Sequence, residues 1–313
     1  MSVPKTRFKA VYWSVLIFIL AQVLTFALVW RQDPFLEENN IYVPPQPTQP
    51  VIIWPTPTTA VTGEVTTPPA TSSLGPILLY FAILIAVMGI ILAVIPLSAL
   101  KLVFRLLFAA LFAWGMFILL VFWLPLWITL TVAVFTGLLW LVRPKIWLHN
   151  LVMVTAMVSM AAVFGRLVSP WTAIILLVAL AIYDFFAVRF GYMLWMVNKM
   201  SAVSTLPAFI LPQKPRDMQT SLTTPDINRL IDTKPEDRDY SILGGGDIAF
   251  PLLLTASVYF ASGFSTALIV AGASLAGLIA AYWIQATFLK GKAIPALPPI
   301  AAAALIAFLL TSI

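Results

Sequence analysis

The chain has 313 residues, of which only 10% are charged and 61% hydrophobic, whereas soluble domains carry roughly 25% charged residues. With a mean hydropathy of +1.00 and recurring apolar stretches of about 20 residues, each long enough to cross a bilayer as a helix, the composition excludes a soluble protein. The net charge of +6 comes from basic residues scattered between apolar stretches, so nucleic-acid binding is not expected, and the lack of cysteine excludes disulfides and thiol chemistry.

The apolar stretches predict an all-α, polytopic membrane protein, a single transmembrane domain over residues 1–313. We expect about nine transmembrane helices, because prolines in the short connections 124–125 and 143–145 break one helix from the next. The first span is too long for a signal peptide and is interpreted as a retained anchor. In chain order the predicted spans are 11–30, 77–97, 106–123, 126–142, 146–165, 172–188, 247–262, 265–283 and 293–313.

Two long connections separate these spans. Residues 31–76 hold ten of the 24 prolines together with several threonines, which predicts an extended, irregular external loop. Residues 189–246 form the main internal loop, and its apolar first part, Phe190–Leu211, favours an amphipathic helix lying in the membrane interface. Residues 213–240 are polar and punctuated by proline, which predicts a flexible linker.

The distribution of basic residues predicts the orientation of the chain. Threading the nine spans with the N-terminus inside places 16 of the 18 Lys and Arg residues in inside segments, and only Arg31 and Arg166 fall outside. Since basic residues accumulate on the cytoplasmic side, we expect a cytoplasmic N-terminus and an extracytoplasmic C-terminus.

Two aspartates depart from the pattern of acids in the connections. Ten of the 12 acidic residues fall in connections, whereas Asp184 and Asp247 lie within or at the edge of predicted spans. An aspartate at the centre of a membrane helix costs about 2.5–3.5 kcal/mol on insertion scales, so such a residue is a candidate for function. Asp184 lies five residues before Arg189, and Asp247 seven after Tyr240, where the chain re-enters from the same side. The two carboxylates can therefore meet near the inner face.

Facing carboxylates in a low-dielectric site cannot easily ionise together, so the pair is expected to share one proton. The charged member can deprotonate a water molecule while the neutral member hydrogen-bonds to a peptide carbonyl, which is the chemistry of aspartic proteases. No metal or other cofactor is expected, because the sole histidine, His149, has no obvious ligand partners. We interpret His149 as an ordinary interfacial or packing residue.

Short motifs accompany the acids and the start of the last span. The glycines before Asp247 permit close backbone approach and local unwinding, although simple packing of helices by small residues is an equal alternative. Prolines at the start of the last span are either ordinary helix breakers or leave backbone groups free for an extended substrate. The motif residues are Tyr183, Gly244, Gly245, Gly246, Pro295, Ala296 and Leu297.

Together these motifs resemble those of the presenilin and signal-peptide-peptidase family of GxGD intramembrane aspartyl proteases. Tyr183-Asp184 matches the family's YD motif, Gly244 to Asp247 match GxGD, and Pro295 to Leu297 match PAL, on the sixth, seventh and ninth predicted spans. The resemblance implies a nine-helix, presenilin-like fold in which the two aspartates are catalytic. It also implies that the other motif residues shape the active site and position the substrate.

The resemblance implies substrates that are transmembrane proteins or peptides, cut within or near their membrane segments in the lipid bilayer. The predicted orientation is presenilin-like, whereas Ile248 after the aspartate is closer to the peptidase branch, which leaves the substrate preference open. The chain is most similar to a microbial, archaeal presenilin homologue, which implies the cell membrane of a prokaryote. A homo-oligomer is compatible with the sequence, and accessory subunits are not required.

The main alternative is a proton- or cation-coupled transporter, or a leak channel, that uses the same two aspartates. Against it, both acids lie toward one face of the membrane rather than at the midplane, and the sequence contains no convincing inverted repeat. A non-catalytic scaffold or membrane chaperone would leave the cost of the two intramembrane acids unexplained. The protease is therefore the favoured interpretation.

Overall fold

The computed structural model describes residues 5–39, 41, 74–94, 97–192, 206–222, 240–287 and 295–311. Within these residues the chain forms eight α-helices and one antiparallel sheet of two strands. The helices are α1 (Lys5–Glu38), α2 (Leu74–Val94), α3 (Leu97–Val121), α4 (Leu126–Val142), α5 (Ile146–Leu167), α6 (Pro170–Arg189), α7 (Gly246–Thr287) and α8 (Leu297–Thr311). The strands are β1 (Ala208–Pro212) and β2 (Tyr240–Gly244), and a 3₁₀-helix covers Pro215–Gln219.

Long apolar helices dominate the described residues, which confirms the predicted all-α membrane architecture. Three shorter apolar segments, Ala82–Ile91, Leu126–Val142 and Leu297–Thr311, also lie where spans are predicted. The number of nine transmembrane helices stays a prediction. Five helical segments of the described part are long and apolar enough to cross a membrane: Val11–Glu38, Lys101–Val121, Ile146–Leu167, Pro170–Arg189 and Gly246–Thr287.

Helix α5 lies at the centre of the bundle. It packs against α1, α3, α7 and β1, and it is the most extensively buried of the five long apolar segments. Helices α6 and α8 pack against α7 and against each other. At the crossing of α7 and α8, a Cβ on Gly277 would lie 2.6 Å from the Cα of Ile300, so only glycine permits this approach. The packing brings α6, α7 and α8 into one neighbourhood.

Helix α6, which carries Tyr183 and Asp184, has a well-defined start. The Oγ of Ser169 accepts a hydrogen bond from the N–H of Thr172 at 3.2 Å and thereby caps the helix. Pro170 occupies the first turn, where backbone N–H groups have no acceptor within the helix, so the missing N–H of proline costs nothing. Because the helix ends at Arg189, Asp184 lies in its penultimate turn.

Helix α7 contains a break at Gly263. This residue has a φ of 84° and a ψ of −179°, outside the helical region, so α7 consists of a first arm over 246–262 and a second arm over 264–287. The sequence predicts two separate spans here, 247–262 and 265–283, and the break falls between them. A positive φ is disfavoured for residues with a Cβ, which explains the glycine.

The outer end of α1 differs from the sequence prediction. Residues 31–38 were expected to begin the irregular external loop over 31–76, but they continue the helix in spite of Pro34. The loop therefore starts later than predicted. Residues 42–73 of it lie outside the described part of the chain.

Two ion pairs accompany this extension of α1. Arg31 pairs with Glu38 at 3.0 Å, and Asp33 pairs with Arg166 near the end of α5. The guanidinium of Arg166 also lies over the ring of Phe260, 4.8 Å from its centroid. The two arginines that the threading places outside thus both have an acidic partner in the same helix extension.

The internal connection contains a sheet that the sequence analysis missed. The amphipathic helix predicted over Phe190–Leu211 is wrong at its C-terminal end, because Ala208–Pro212 forms strand β1. All five residues of β1 are buried, whereas an amphipathic helix would bury only one face. Residues 193–205, the middle of the predicted helix, lie outside the described part of the chain.

The segment after β1, predicted as part of a flexible linker, instead docks on the connection between α4 and α5. The N–H of Ile146 donates to the carbonyl oxygen of Thr220 at 3.0 Å, and the N–H of Leu222 donates to that of Pro144 at 2.8 Å. These two bonds hold the residues directly after the 3₁₀-helix, Thr220 and Leu222, against the bundle. The rest of the predicted linker, 223–239, is not described.

The break at Gly263 predicts a selective effect of alanine. Gly263→Ala is expected to destabilise the protein by about 1–3 kcal/mol, because a Cβ is strained at this φ even though no atom lies within 4 Å. Gly272 is the matched control: it is helical, equally uncrowded, and alanine there should be neutral or stabilise by up to about 1 kcal/mol. Thermal unfolding midpoints in detergent measure both variants, and equal midpoints would contradict the strained break.

Candidate active site

Asp184 contacts the start of helix α8. The backbone N–H of Leu297, the first residue of α8, donates to Oδ2 of Asp184 at 3.4 Å. The first N–H groups of a helix have no partner within the helix, and Pro298 and Pro299 carry no N–H. Leu297 is therefore the only donor among the first three residues of α8. The prolines leave this single backbone group to the aspartate, which gives the Pro295–Leu297 motif a physical role.

Asp247 reaches the same place from helix α7. It lies in the first turn of α7, and its carboxylate packs against Gly244 at the end of β2. The side chain thus folds back over the end of β2, where a Cβ on Gly244 would lie only 3.0 Å from Oδ2 of Asp247. The carboxylates of Asp247 and Asp184 are within electrostatic range of each other. Both residues are half-buried.

The three glycines before Asp247 lead the chain from a strand into a helix. Gly244 ends β2 and Gly246 begins α7. At Gly245 the N–H donates to the carbonyl oxygen of Pro207 at 3.1 Å. A Cβ on Gly245 would lie 2.8 Å from the same oxygen and would collide with the methyl group of Met157. The close backbone approach expected of the glycines is present, but at a strand-to-helix junction rather than inside a weakened helix.

The two-stranded sheet holds this junction in register. Ala208 of β1 lies opposite Gly244, and Pro212 lies opposite Tyr240. The strands are separated by a connection of 27 residues, so no short hairpin turn indicates their pairing in the sequence. The sheet therefore ties Asp247 to a part of the chain that contains none of the recognised motifs.

His149, interpreted from the sequence as an ordinary interfacial or packing residue, is fully buried and hydrogen-bonded to this sheet. Its Nε2 lies 3.0 Å from the carbonyl oxygen of Ala208, and Nε1–H of Trp140 donates to its Nδ1 at 3.3 Å. The neighbouring Asn150 makes two hydrogen bonds to the backbone of Ile210. Adjacent His and Asn inside an apolar span were the signal, because buried polar groups need partners.

Tyr183 lies beside a cleft between α6 and α2. The tyrosine is half-buried and within electrostatic range of Asp184. The cleft has a volume of about 390 Å³ and an apolar lining. Tyr183 in its wall precedes Asp184 in the chain, whereas Asp184 itself does not line the cleft. The residues that line it are Ile85, Ala86, Gly89, Ile90, Tyr183 and Tyr192.

A further polar pair near the aspartates was missed in the sequence. The hydroxyl of Tyr282, in the second arm of α7, lies 2.5 Å from Oγ of Ser14 in α1. Tyr282 is also within electrostatic range of Asp247. The pair joins α1 to the helix that follows the Gly263 break, close to the candidate site.

A family model described as signal-peptide peptidase, presenilin aspartyl protease matches residues 70–313. The chain belongs to this family. It is therefore an intramembrane aspartic endopeptidase and an integral, multi-pass membrane protein. The match starts before α2 and includes all three motifs, whereas α1 precedes it. The predicted resemblance is confirmed at the level of the family.

Two solved structures support the fold, each described as a presenilin family intramembrane aspartate protease. The one in space group C222 is 18% identical, with a TM-score of 0.59, and the match covers 96% of this chain and 98% of that chain. The one in space group P2 is 19% identical, with a TM-score of 0.53, and covers 95% of each chain. The presenilin-like fold is thereby confirmed. No curated protein matches the chain.

The contact between Leu297 and Asp184 predicts that proline at position 297 impairs catalysis. Leu297→Pro removes the N–H and is compatible with the first position of a helix. Hydrogen bonds to charged groups contribute about 1.5–3 kcal/mol, so kcat should fall by roughly 10- to 100-fold. Leu297→Ala keeps the N–H but truncates the buried side chain, so it measures the packing effect alone. The kcat of both variants is measured on the same transmembrane peptide. An equal loss of kcat in both would show that the N–H of Leu297 does not contribute to catalysis.

Proposed function

We propose that Asp184 and Asp247 are the catalytic dyad of this protease, and that they hydrolyse peptide bonds within or near transmembrane segments by activating water. The observation that carries the proposal is that α6 with Asp184 and α7 with Asp247 pack against each other and against α8, whose first N–H donates to Asp184. Asp184 and Asp247 are also the two acids that the sequence places in predicted spans. An acid at such a position is costly unless it has a function.

The dyad acts with one shared proton. The ionised carboxylate takes a proton from water as the water oxygen attacks the scissile carbonyl carbon, and the protonated carboxyl donates to the carbonyl oxygen on which negative charge develops. The tetrahedral intermediate then collapses, the C–N bond breaks, and the leaving nitrogen takes a proton from the dyad. The N–H of Leu297 supports the carboxylate of Asp184 through these steps.

An extended substrate matches the backbone at this site. The peptide bonds of a helix are hydrogen-bonded internally, so the substrate must unwind to offer a scissile carbonyl. The N–H of Gly245 points toward β1, and because strand residues alternate, the N–H and C=O of Ile242 point away from it. A substrate strand can pair with this outer edge of β2, which leads directly to Asp247.

The cleft between α2 and α6 is the proposed path of the substrate from the lipid. Its apolar lining suits a transmembrane segment, and Tyr183 in its wall precedes Asp184 in the chain. Helix α2 is largely exposed along its described side chains, so the cleft borders the membrane rather than the protein core. Tyr183 therefore contacts substrate as the chain moves from the cleft to the dyad.

The proposed orientation puts the N-terminus in the cytoplasm and the C-terminus outside, in the cell membrane of a prokaryote. The support is the placement of 16 of 18 basic residues on the inner side. The two outer arginines, Arg31 and Arg166, are ion-paired with acids of α1, so their positive charges are offset on the outer face. Accessory subunits are not needed in this proposal, because both aspartates and Leu297 belong to one chain.

The dyad predicts that each aspartate is required for cleavage. Asp184→Ala and Asp247→Ala, purified in detergent and given a single-span substrate, should each lose roughly 10²- to 10⁴-fold in rate, the usual contribution of a general acid or base. Asp217→Ala, an acid in the internal connection, is the control and should cut normally.

A wild-type rate in either dyad variant would refute the assignment of that residue. If no variant, wild type included, cuts any of several substrates, ion flux through the wild type in liposomes tests the alternative of a transporter or leak channel that uses the same aspartates.

Sharing of one proton predicts a bell-shaped dependence of kcat/KM on pH. At low pH both carboxyls are protonated and no base remains, and at high pH both are ionised, so the acid is lost and the two charges repel. Activity should therefore decline on both sides of a maximum at mildly acidic to neutral pH. Cleavage of a substrate without titratable groups, followed from about pH 4 to about pH 9, measures the profile; a flat profile would contradict the shared proton.

A further inference from the structure

Strand β1 has a partner on each of its two edges. On one edge, the carbonyl of Pro207, just before the strand, accepts from the N–H of Gly245 at the end of β2. Since strand residues alternate, the backbone groups of Ala208 and Ile210 face the opposite edge. That edge is occupied by side chains of α5 rather than by a third strand.

Asn150 occupies this edge as a neighbouring strand would. Its Nδ2–H donates to the carbonyl oxygen of Ile210 at 2.7 Å, and its Oδ1 accepts from the N–H of the same residue at 3.0 Å. Asn150 is 6% exposed. One amide side chain thus satisfies both backbone groups of Ile210, and it fixes the height of β1 along α5.

His149 adds a third hydrogen bond to the same edge. Because Nε1–H of Trp140 donates to Nδ1 of His149, that nitrogen carries no proton, and Nε2 is the protonated nitrogen. Nε2–H therefore donates to the carbonyl oxygen of Ala208 at 3.0 Å. The ring is held from both sides, so its donor has a defined direction.

The contacts continue from this edge to the dyad. Ala208 pairs with Gly244 across the sheet, and the carboxylate of Asp247 packs against Gly244, where a Cβ would lie 3.0 Å from Oδ2. The N–H of Gly245 donates to Pro207, so the start of α7 is also bound to β1. A shift of β1 on α5 must therefore move the backbone that orients the carboxylate of Asp247.

We propose that Asn150 and His149 are positioning residues of the protease: they hold β1 on α5 and, through the sheet, orient Asp247 toward Asp184. The proposal rests on the dyad proposed above. The competing explanation is that the two side chains only satisfy buried backbone groups and contribute to stability. The two explanations differ in what happens to kcat and to its pH dependence.

Asn150→Leu removes both hydrogen bonds to Ile210 while keeping a side chain of similar size. A positioning role predicts that kcat falls by about 10- to 100-fold, that KM changes by less than about threefold, and that the bell-shaped pH profile moves, because the two carboxylates no longer face each other as before. The matched control is Ser159→Ala. Ser159 is also buried on α5 and donates to a backbone carbonyl, that of Gly115 at 2.6 Å in α3. It should lower the unfolding midpoint without moving the pH profile.

The histidine offers a conservative rescue. Glutamine can place an amide N–H near the position of Nε2, whereas the shorter asparagine reaches only the position of Nδ1. His149→Asn should therefore reduce kcat by about tenfold or more, and His149→Gln should restore most of that loss. Because Asn150 stays in both variants, this comparison decides the matter even if Asn150→Leu does not fold.

Cleavage of one single-span substrate by the full-length protein in detergent distinguishes the outcomes. Unchanged kcat and pH profile in Asn150→Leu and His149→Asn, with Asp247→Ala inactive, would overturn the positioning role and leave the dyad intact. Equal activity of the glutamine and asparagine variants at position 149 would overturn the role of His149. An active Asp247→Ala variant would instead refute the dyad itself. The proposal is supported if kcat falls in Asn150→Leu and His149→Asn and the pH profile shifts. It also requires that His149→Gln restores most of the kcat that His149→Asn loses.

Discussion

A backbone N–H or C=O inside a bilayer has no water to bind, and this constraint governs the whole site. Helices satisfy it within themselves, but a protease must keep non-helical backbone beside its acids. Here the irregular backbone is enclosed by protein: β1 lies between β2 and the side chains of α5, and Gly245 bonds to Pro207. The first N–H of α8, which has no partner within the helix, donates to Asp184. The N–H groups of Gly245 and Leu297, both outside regular helical bonding and near the two aspartates, therefore each have a partner in the protein.

The same constraint explains where polar side chains occur in an otherwise apolar core. Asn150 and His149 are buried in the most enclosed helix because strand β1 needs partners there. Small residues have the complementary role, since Gly245 and Gly277 allow the backbone approaches that larger side chains would prevent. Polar and small residues thus define the shape of the site, while the apolar majority holds the helices around it. This division accounts for a catalytic centre in a chain with only 10% charged residues.

The parts of this structure that sequence predicts are those with local causes. Apolar length identifies the spans, including those on either side of the break at Gly263, and the scarcity of acids in the spans singles out Asp184 and Asp247. The sheet has no such local signal. The apolar run Ala208–Pro212 fits a buried helix as well as a strand, and its partner lies beyond a connection of 27 residues. For the same reason the sequence does not show that His149 bonds to the sheet, because its partner is a backbone carbonyl 59 residues away.

An intramembrane protease must bring together an apolar substrate and water, and the two are served by different sides of this site. The cleft between α2 and α6 has an apolar lining and suits a substrate segment that arrives from the lipid. The two aspartates of the proposed dyad lie near the ends of their helices, Asp184 in the penultimate turn of α6 and Asp247 in the first turn of α7. Helix ends lie closer to the aqueous face than helix centres, so water has a short path to half-buried carboxylates. The position of the acids at helix ends rather than at the midplane thus favours a path for water to the proposed dyad that is separate from the apolar cleft.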